Sequence, residues 1–340
     1  MPDMTILNKY KQTRLELTEC DHRVLEILGD FVPDNVFDSH AHINPAGGAS
    51  NENESYAGYC EWMGPVLGNP SNIRLNMLAE VLGEEMRTLE GRRVVNDYLS
   101  GELAKAPKCV GSPLVGPDDT PEQIAELLSR PQVGGIKCYA TTAPAEKAAT
   151  MVTQDFLSEA VWEAANERKL PICLHLIRYN GLADAHNMEY IKTMTARYPD
   201  AKLVLAHAAR GFASWAAVEN IHKVAGIDNV WFDISCICEV GPIASAIMQT
   251  AGKKVMWGSD YPVCKYRGRS VSIGDNNIGL TGPVYGALEP LLQERAAPAC
   301  LYALENLMAV KQAAILLNLD QTQIEDIFYN NAMKLYGLTD

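Results

Sequence analysis

LPICLHLIRYNGLADAHNMEYIKTMTARYPDAKLVLAH, residues 170–207, is one strand–helix–strand unit written out in full. LPICLHL (170–176) and AKLVLAH (201–207) are short apolar runs, and each carries a histidine near its end, His175 and His207. Between them Met188, Ile191 and Met194 recur at helical spacing until Pro199 stops the helix. Two strands joined through a helix pair in parallel, by a right-handed crossover. The two histidines then stand at the same end of neighbouring strands.

The alternation continues outward. CVGSPLV (109–115), GGIKCYA (134–140), NVWFDIS (229–235), KVMWGSD (254–260) and, upstream, NVFDSHAH (35–42) bring the strand candidates to seven. In the helix before residue 170, Phe156, Leu157, Ala160, Val161, Ala164 and Ala165 form one apolar stripe. An open doubly wound sheet and a closed eightfold barrel both fit this order. No G-x-G-x-x-G follows any strand, which removes support for the dinucleotide-binding form of the open sheet. A barrel needs an eighth strand between residues 44 and 108, where SNIRLNMLAEVLGEEMRTLE (71–90) and RRVVNDYLSGELAKAP (92–107) read as helices; WMGPVLG (62–68) is the candidate. Near the end, Thr322 and Glu325 have capping-box spacing, and Ile324, Ile327, Phe328 and Leu335 make a face expected to pack on the outer ring. With no linker or repeat, 1–340 reads as a single domain: a helical extension over 1–34 and the barrel over 35–340.

Composition narrows the partners. The 340 residues are 47% hydrophobic and carry a net charge of −13, which disfavours nucleic acid and anionic membranes. A small anionic substrate stays compatible, because a site can be locally positive. Nine cysteines, an odd count without C-x-x-C, read as reduced and mostly buried thiols. Cys236 and Cys238 are read as core or pocket lining. No apolar run approaches the ~18 residues of a membrane helix, and the first residues lack a signal-peptide core, so a cytoplasmic protein is expected.

The polar residues at the strand ends carry the chemistry. His40 and His42 lie one residue apart on a strand and share a face; that pairing suits a metal ion. Lys137, His175, His207 and Asp260 each sit toward the carboxyl end of their own run, and in a parallel barrel those ends gather at one mouth. A lone strand-end histidine is more often a hydrogen-bonded structural residue, but the full set is harder to assign that way. His22, His186 and His222 have no such placement and read as surface or helix residues. Arg178 and Arg210 each follow a strand-end histidine by three residues and suit a carboxylate, a surface ion pair being the plainer alternative; Tyr139 shares the face of Lys137. The segments 43–65 and 261–290 are long and loop-like, as expected of parts that shape a substrate pocket.

FDSHAH, GGIKCY, LPICLH, AKLVLAHAARG, NVWFDIS, VMWGSDYP and NNAMKLYGL together resemble the metal-dependent amidohydrolase superfamily. The resemblance is to the branch that includes aminocarboxymuconate-semialdehyde decarboxylase and related hydrolases, and it spans about residues 36–338. It implies an α/β fold, a distorted (β/α)8 TIM barrel. It implies that His40, His42, His175 and Asp260 hold one divalent cation, zinc by preference and manganese or iron otherwise. A bound water, its pKa lowered from 15.7 towards ~7, would be the nucleophile, with Asp260 as its base and His207 as a second base or electrophile. Lys137, Tyr139, Arg178 and Arg210 would contact substrate. In the less favoured alternative Lys137 is carboxylated and bridges two metals, with His175 and His207 sharing the second. The implied activity is a metal-dependent hydrolase of a small polar, anionic amide, lactone or other ester. A non-oxidative decarboxylase and a non-catalytic metal-binding barrel are the alternatives. Family members often pair, so a homodimer is expected.

Overall fold

In the computed structural model, which describes residues 14–46, 52–79, 83–281, 287 and 299–339, eight parallel strands close on themselves. They are β1 (Asn35–His42), β2 (Asn72–Leu78), β3 (Val110–Ser112), β4 (Ile136–Cys138), β5 (Pro171–Leu174), β6 (Lys202–Leu205), β7 (Val230–Asp233) and β8 (Val255–Met256). β1 to β3 form one ladder and β4 to β8 another. At the first seam Leu114 bridges Lys137, whose N–H donates to the Pro113 carbonyl at 2.9 Å. At the second, Ser39 N–H donates to Trp257, Asp260 N–H to His40 and His42 N–H to Tyr261, at 3.1, 2.8 and 2.7 Å. The ring is therefore complete, and the fold is the TIM barrel.

The strand pleat sorts the side chains. Ile172, Leu203, Leu205, Val230, Phe232 and Val255 face the surrounding helices in the main core. Val110, Val204, Trp231 and Met256 belong to a second cluster inside the barrel. The helices start where the sequence provides caps: Thr88 before Leu89–Leu103, and Thr120, in a capping box with Gln123, before Pro121–Leu128.

Three expectations are corrected. The second strand is NIRLNML, not WMGPVLG. Ile73, Leu75 and Met77 alternate with Arg74 and Asn76, a period of two hidden among strong helix formers. Asn76 is satisfied inside the barrel, donating to the Ser39 carbonyl at 3.1 Å and accepting from Ser112 Oγ at 2.8 Å. WMGPVLG instead lies largely in the helix Tyr56–Val66, which ends one residue after Pro65. Near the carboxyl end the capping box is Asp320 with Gln323, not Thr322 with Glu325. That segment joins the outer ring only in part, through Ile327 and Phe328, the latter against Phe31 and Trp257. Its Tyr329, Met333 and Leu335 pack into the cluster with Phe37, Val110, Val204, Trp231 and Met256, and Tyr336 stacks on Phe37 at 5.5 Å, so the segment plugs the barrel at the amino ends of the strands.

Of the expected amino-terminal extension, residues 1–13 lie outside the described residues; the rest includes the helix Glu19–Leu28, which Thr18 caps. Buried Asp21 ties this helix down, accepting from Leu301 N–H at 3.0 Å and pairing with Arg267 at 2.8 Å. The segment 261–290 is less loop-like than its composition suggests: it contains an antiparallel hairpin, β9 (Gly268–Ile273) and β10 (Asn276–Thr281). Its residues 282–286 and 288–290, and residues 47–51 of the other long segment, lie outside the described residues.

Candidate active site

Strained backbone gathers at the carboxyl ends of four consecutive strands. After β5, Arg178 has φ 68°; after β6, His207, Ala208, Ala209 and Arg210 have φ 56°, 48°, 60° and 59°; after β7, Cys236 has 54°; after β8, Asp260 has 57°. Each left-handed non-glycine residue costs roughly 1–2 kcal/mol. Such strain persists where surrounding contacts hold it, and it concentrates at functional sites. The turn at 207–210 is held by His207 N–H donating to Asp233 Oδ1 at 3.1 Å and by Gly211 N–H donating to the His207 carbonyl at 2.7 Å. Gly181 permits the neighbouring loop to close on it, since a Cβ there would lie 3.2 Å from both the Ala209 carbonyl and the Arg210 Cβ.

Inside this rim three donor atoms converge. His40 Nε2 lies 3.2 Å from His42 Nε2; Asp260 Oδ1 is 3.2 Å from the latter and 3.4 Å from the former. One nitrogen of His207 stands within 4.8 Å of His40 and Asp260 donors, and its ring centroid is 4.9 Å from that of His40. A tetrahedral zinc with bonds of about 2.0–2.1 Å has ligand–ligand edges of about 3.3–3.4 Å, so the triangle fits such an ion. Lone pairs of two imidazoles and a carboxylate aimed at one point repel unless a cation lies among them. His40, His207 and Asp260 are all buried, which deepens that need.

Asp233 organises the histidines, and sequence reading assigned it no role. It is fully buried and accepts from His40 Nδ1 at 3.0 Å, from the His207 and Ser235 backbone N–H groups at 3.1 Å each, and from Ser235 Oγ at 2.5 Å. Its signal was present: an acid closing the apolar run NVWFD. By taking the Nδ1 proton of His40 it leaves Nε2 as the acceptor that faces the triangle. His207 is oriented likewise. Its Nδ1 faces the Ser235 carbonyl at 3.0 Å and Ser235 Oγ at 2.9 Å, and the Oγ proton is already given to Asp233. Both partners accept, so Nδ1 carries the proton and Nε2 is the basic nitrogen.

Charge follows burial. Desolvation pushes the His40 pKa down to about 4, outweighing the pull of Asp233, so the ring is neutral at pH 7. Burial alone would raise the carboxyls. For Asp260 the neighbouring histidines, His207 first, more than offset it, and for Asp233 the neighbouring histidines and Ser235 do so; both lie well below the ordinary carboxylate range. Asp38, within β1, is pushed up to about 6 by burial despite bonds from Ser259, Tyr59 and His40.

The remaining expected site residues divide. Lys137 is buried in the barrel with its Nζ 5.4 Å from the Tyr139 ring centre. Tyr139 in turn packs on His175 at 5.2 Å, and His175 on His207 at 4.7 Å. His175 reaches the site, but its Nε2 accepts from Arg210 Nη1 at 2.9 Å rather than joining the triangle. Arg178 stays at the rim, half-exposed and paired with Asp184 at 2.8 Å. The two long loops meet through a pair that the sequence did not suggest, Glu54 with Lys265 at 2.7 Å, both buried.

The amidohydrolase family profile, Amidohydro_2, matches residues 37–338. The chain belongs to that family. Among its relatives is an L-fucono-1,5-lactonase from Burkholderia ambifaria, 24% identical over 220 residues, or 60% of this chain and 72% of that protein. An amidohydrolase from Burkholderia multivorans, in crystals with bound HEPES and with bound zinc, superposes with TM-scores of 0.60 and 0.58 at 14% and 13% identity. Both matches cover 90% of this chain and 100% of that one. A 2,6-dihydroxybenzoate decarboxylase from Rhizobium gives a TM-score of 0.55 at 12% identity, over 89% of this chain and 98% of that one. At such identities the superpositions establish the barrel alone; the chain has hydrolases and decarboxylases among its structural neighbours. Among the described residues no helix is long and apolar enough to cross a membrane.

Proposed function

We propose that this protein is a zinc-dependent hydrolase of a small anionic ester, with a lactone the leading candidate. The observation that carries the reading is the triangle of His40 Nε2, His42 Nε2 and Asp260 Oδ1, whose edges suit one tetrahedral ion. These residues would hold a divalent ion beside His207, which would supply a Lewis acid able to polarise a carbonyl and to lower the pKa of water.

The chain's own residues do the rest. Asp260 is kept anionic and accepts the proton of the attacking water. His207, with Nδ1 protonated, has a basic Nε2 that takes this proton over from Asp260 and passes it to the leaving alkoxide. Lys137 and Arg210 place positive charge beside the reacting carbonyl, where it steadies a developing oxyanion and holds a substrate carboxylate. Asp233 fixes both imidazoles and so keeps these proton positions aligned. The sequence similarity to a lactonase supports ester over amide as the bond cleaved.

The test is a panel of small lactones, with esters and amides for comparison, followed by acid release in a pH-stat. Lactone opening that stops on chelation and returns with zinc is expected. Release of CO2 from aromatic carboxylic acids, with no lactone opened, would replace this reading by a decarboxylase. Metal binding with neither reaction would leave a non-catalytic barrel.

A further inference from the structure

We propose that Glu54 is a positioning residue for the donor triangle: through Lys265 and Tyr261 it sets where His42 and Asp260 stand relative to each other. The inference rests on the metal-binding reading above and deepens it. The corners of the triangle come from the two sides of one seam, His40 and His42 from β1 and Asp260 from the turn after β8. β8 is two residues long, so Asp260 lies beyond its end, on a left-handed backbone with φ 57°. Tyr261, the next residue, ties it to β1. The Tyr261 carbonyl accepts from His42 N–H at 2.7 Å, while Asp260 N–H donates to the His40 carbonyl at 2.8 Å. A shift of Tyr261 therefore moves His42 and Asp260 together.

The Tyr261 side chain is fixed on several sides. Its buried ring packs on the Tyr59 ring at 5.2 Å and under the Lys265 ammonium, 4.3 Å from the ring centre. Its hydroxyl reaches the first turn of the helix Tyr56–Val66, 3.7 Å from where a Cβ on Gly58 would stand, and faces Glu54. Lys265 pairs with Glu54 at 2.7 Å, and both side chains are buried. Glu54 is anchored from the β1 side as well. Its N–H donates to the Asn44 carbonyl at 2.8 Å, and its carbonyl accepts from Asn44 N–H at 3.1 Å, two residues after His42. The contacts close a circuit from His42 through Asn44, Glu54, Lys265 and Tyr261 back to His42. A buried ion pair adds little stability over an apolar pair of the same volume, because desolvation offsets the attraction. What it supplies is direction: charge and hydrogen bonds admit one placement where apolar packing admits several. The Glu54–Lys265 pair thus serves the spacing of the triangle more than the stability of the fold.

The test uses the full chain as wild type, as Glu54→Gln/Lys265→Met, which removes both charges together, and as Tyr261→Phe, which keeps the ring and loses the hydroxyl. Zinc affinity is measured by chelator competition. Cobalt(II) is bound as a probe, its visible spectrum reporting ligand geometry, and urea unfolding follows the metal-free protein. The double variant should bind zinc about tenfold more weakly, as expected for groups that orient metal ligands. Its cobalt spectrum should change, and its unfolding midpoint should stay close to wild type. Tyr261→Phe should weaken zinc by about threefold, the worth of one polar contact. Unchanged zinc affinity or cobalt spectrum in the double variant, or a fall in affinity matched by an equal loss of stability, assigns the pair to the fold alone and overturns the inference. So does unchanged zinc affinity in Tyr261→Phe, the readout that stands if the double variant does not fold. Wild-type protein that takes up neither zinc nor cobalt overturns the parent reading as well; metal binding that neither variant disturbs overturns only the role of Glu54.

Discussion

The two mouths of this barrel are built from the same strands and could hardly differ more. At the amino-terminal mouth, Phe37, Val110, Val204, Trp231 and Met256 meet Tyr329, Met333 and Leu335 in an apolar plug. At the carboxyl-terminal mouth, two to five residues further along β1 and β7, stand His40, His42 and Asp233. The plug is mostly close packing of apolar groups, with Tyr329 Oη accepting from Asn72 at 3.2 Å. The other mouth buries ionisable groups, and each needs a defined donor or acceptor, or a cation, to offset desolvation. Its backbone adopts left-handed angles after four strands. One end of the ring thus supplies stability, and the other carries polar and backbone costs that chemistry uses.

The largest effect expected at the polar mouth is that of Asp260→Ala. It removes one vertex of the triangle and the proton acceptor together, and should lower kcat/KM on the order of 10³-fold with little change in the unfolding midpoint. Phe37→Ala reverses the pattern: about 3–5 kcal/mol of stability lost in urea unfolding, with turnover per folded molecule nearly unchanged. If Phe37→Ala instead altered catalysis as strongly as stability, the separation of the two ends would fail.

A pH titration sharpens the contrast. In the metal-free protein burial holds the His40 pKa at about 4 when folded, against the ordinary 6.5 of histidine. The unfolded chain therefore takes up the proton first, and stability from this residue is intact above pH 6.5 and lost as pH falls towards 4. The full loss is about 3 kcal/mol. Denaturant unfolding of EDTA-treated protein from pH 8 to 4 should show it. Phe37→Ala should shift that curve down without changing its slope, while His40→Gln should flatten it.

Smaller again is the expected effect of Asp233→Asn, which keeps the shape but weakens the acceptor behind His40. Zinc affinity should fall about ten- to hundredfold, measured by chelator competition. An unchanged affinity would mean that Asp233 serves packing alone.

The second strand shows why part of the fold escaped sequence reading. Asn72, Arg74 and Asn76 recur every second residue, yet no apolar inner face marks the strand, because the interior that Asn76 enters is itself polar, with Asn76 bonded to Ser39 and Ser112. Hydropathy assumes an apolar inside, and here the inside is mixed. The terminal segment was legible as a helix with an apolar face, but a face does not name its partner. Asp233 was visible as a strand-end acid, yet its role lies in His40, 193 residues away.

Periodicity and residue type alone were enough for the alternating architecture and for the set of strand-end histidines and acids, because both are local patterns repeated along the chain. The separations within the donor triangle, the tautomers that Asp233 and Ser235 impose, and the turn of Arg210 onto His175 were settled by folding. They depend on strand register, on left-handed backbone angles and on closure of the ring between β8 and β1, and these place atoms from remote segments to within ångströms, a scale that no pattern of residue types contains.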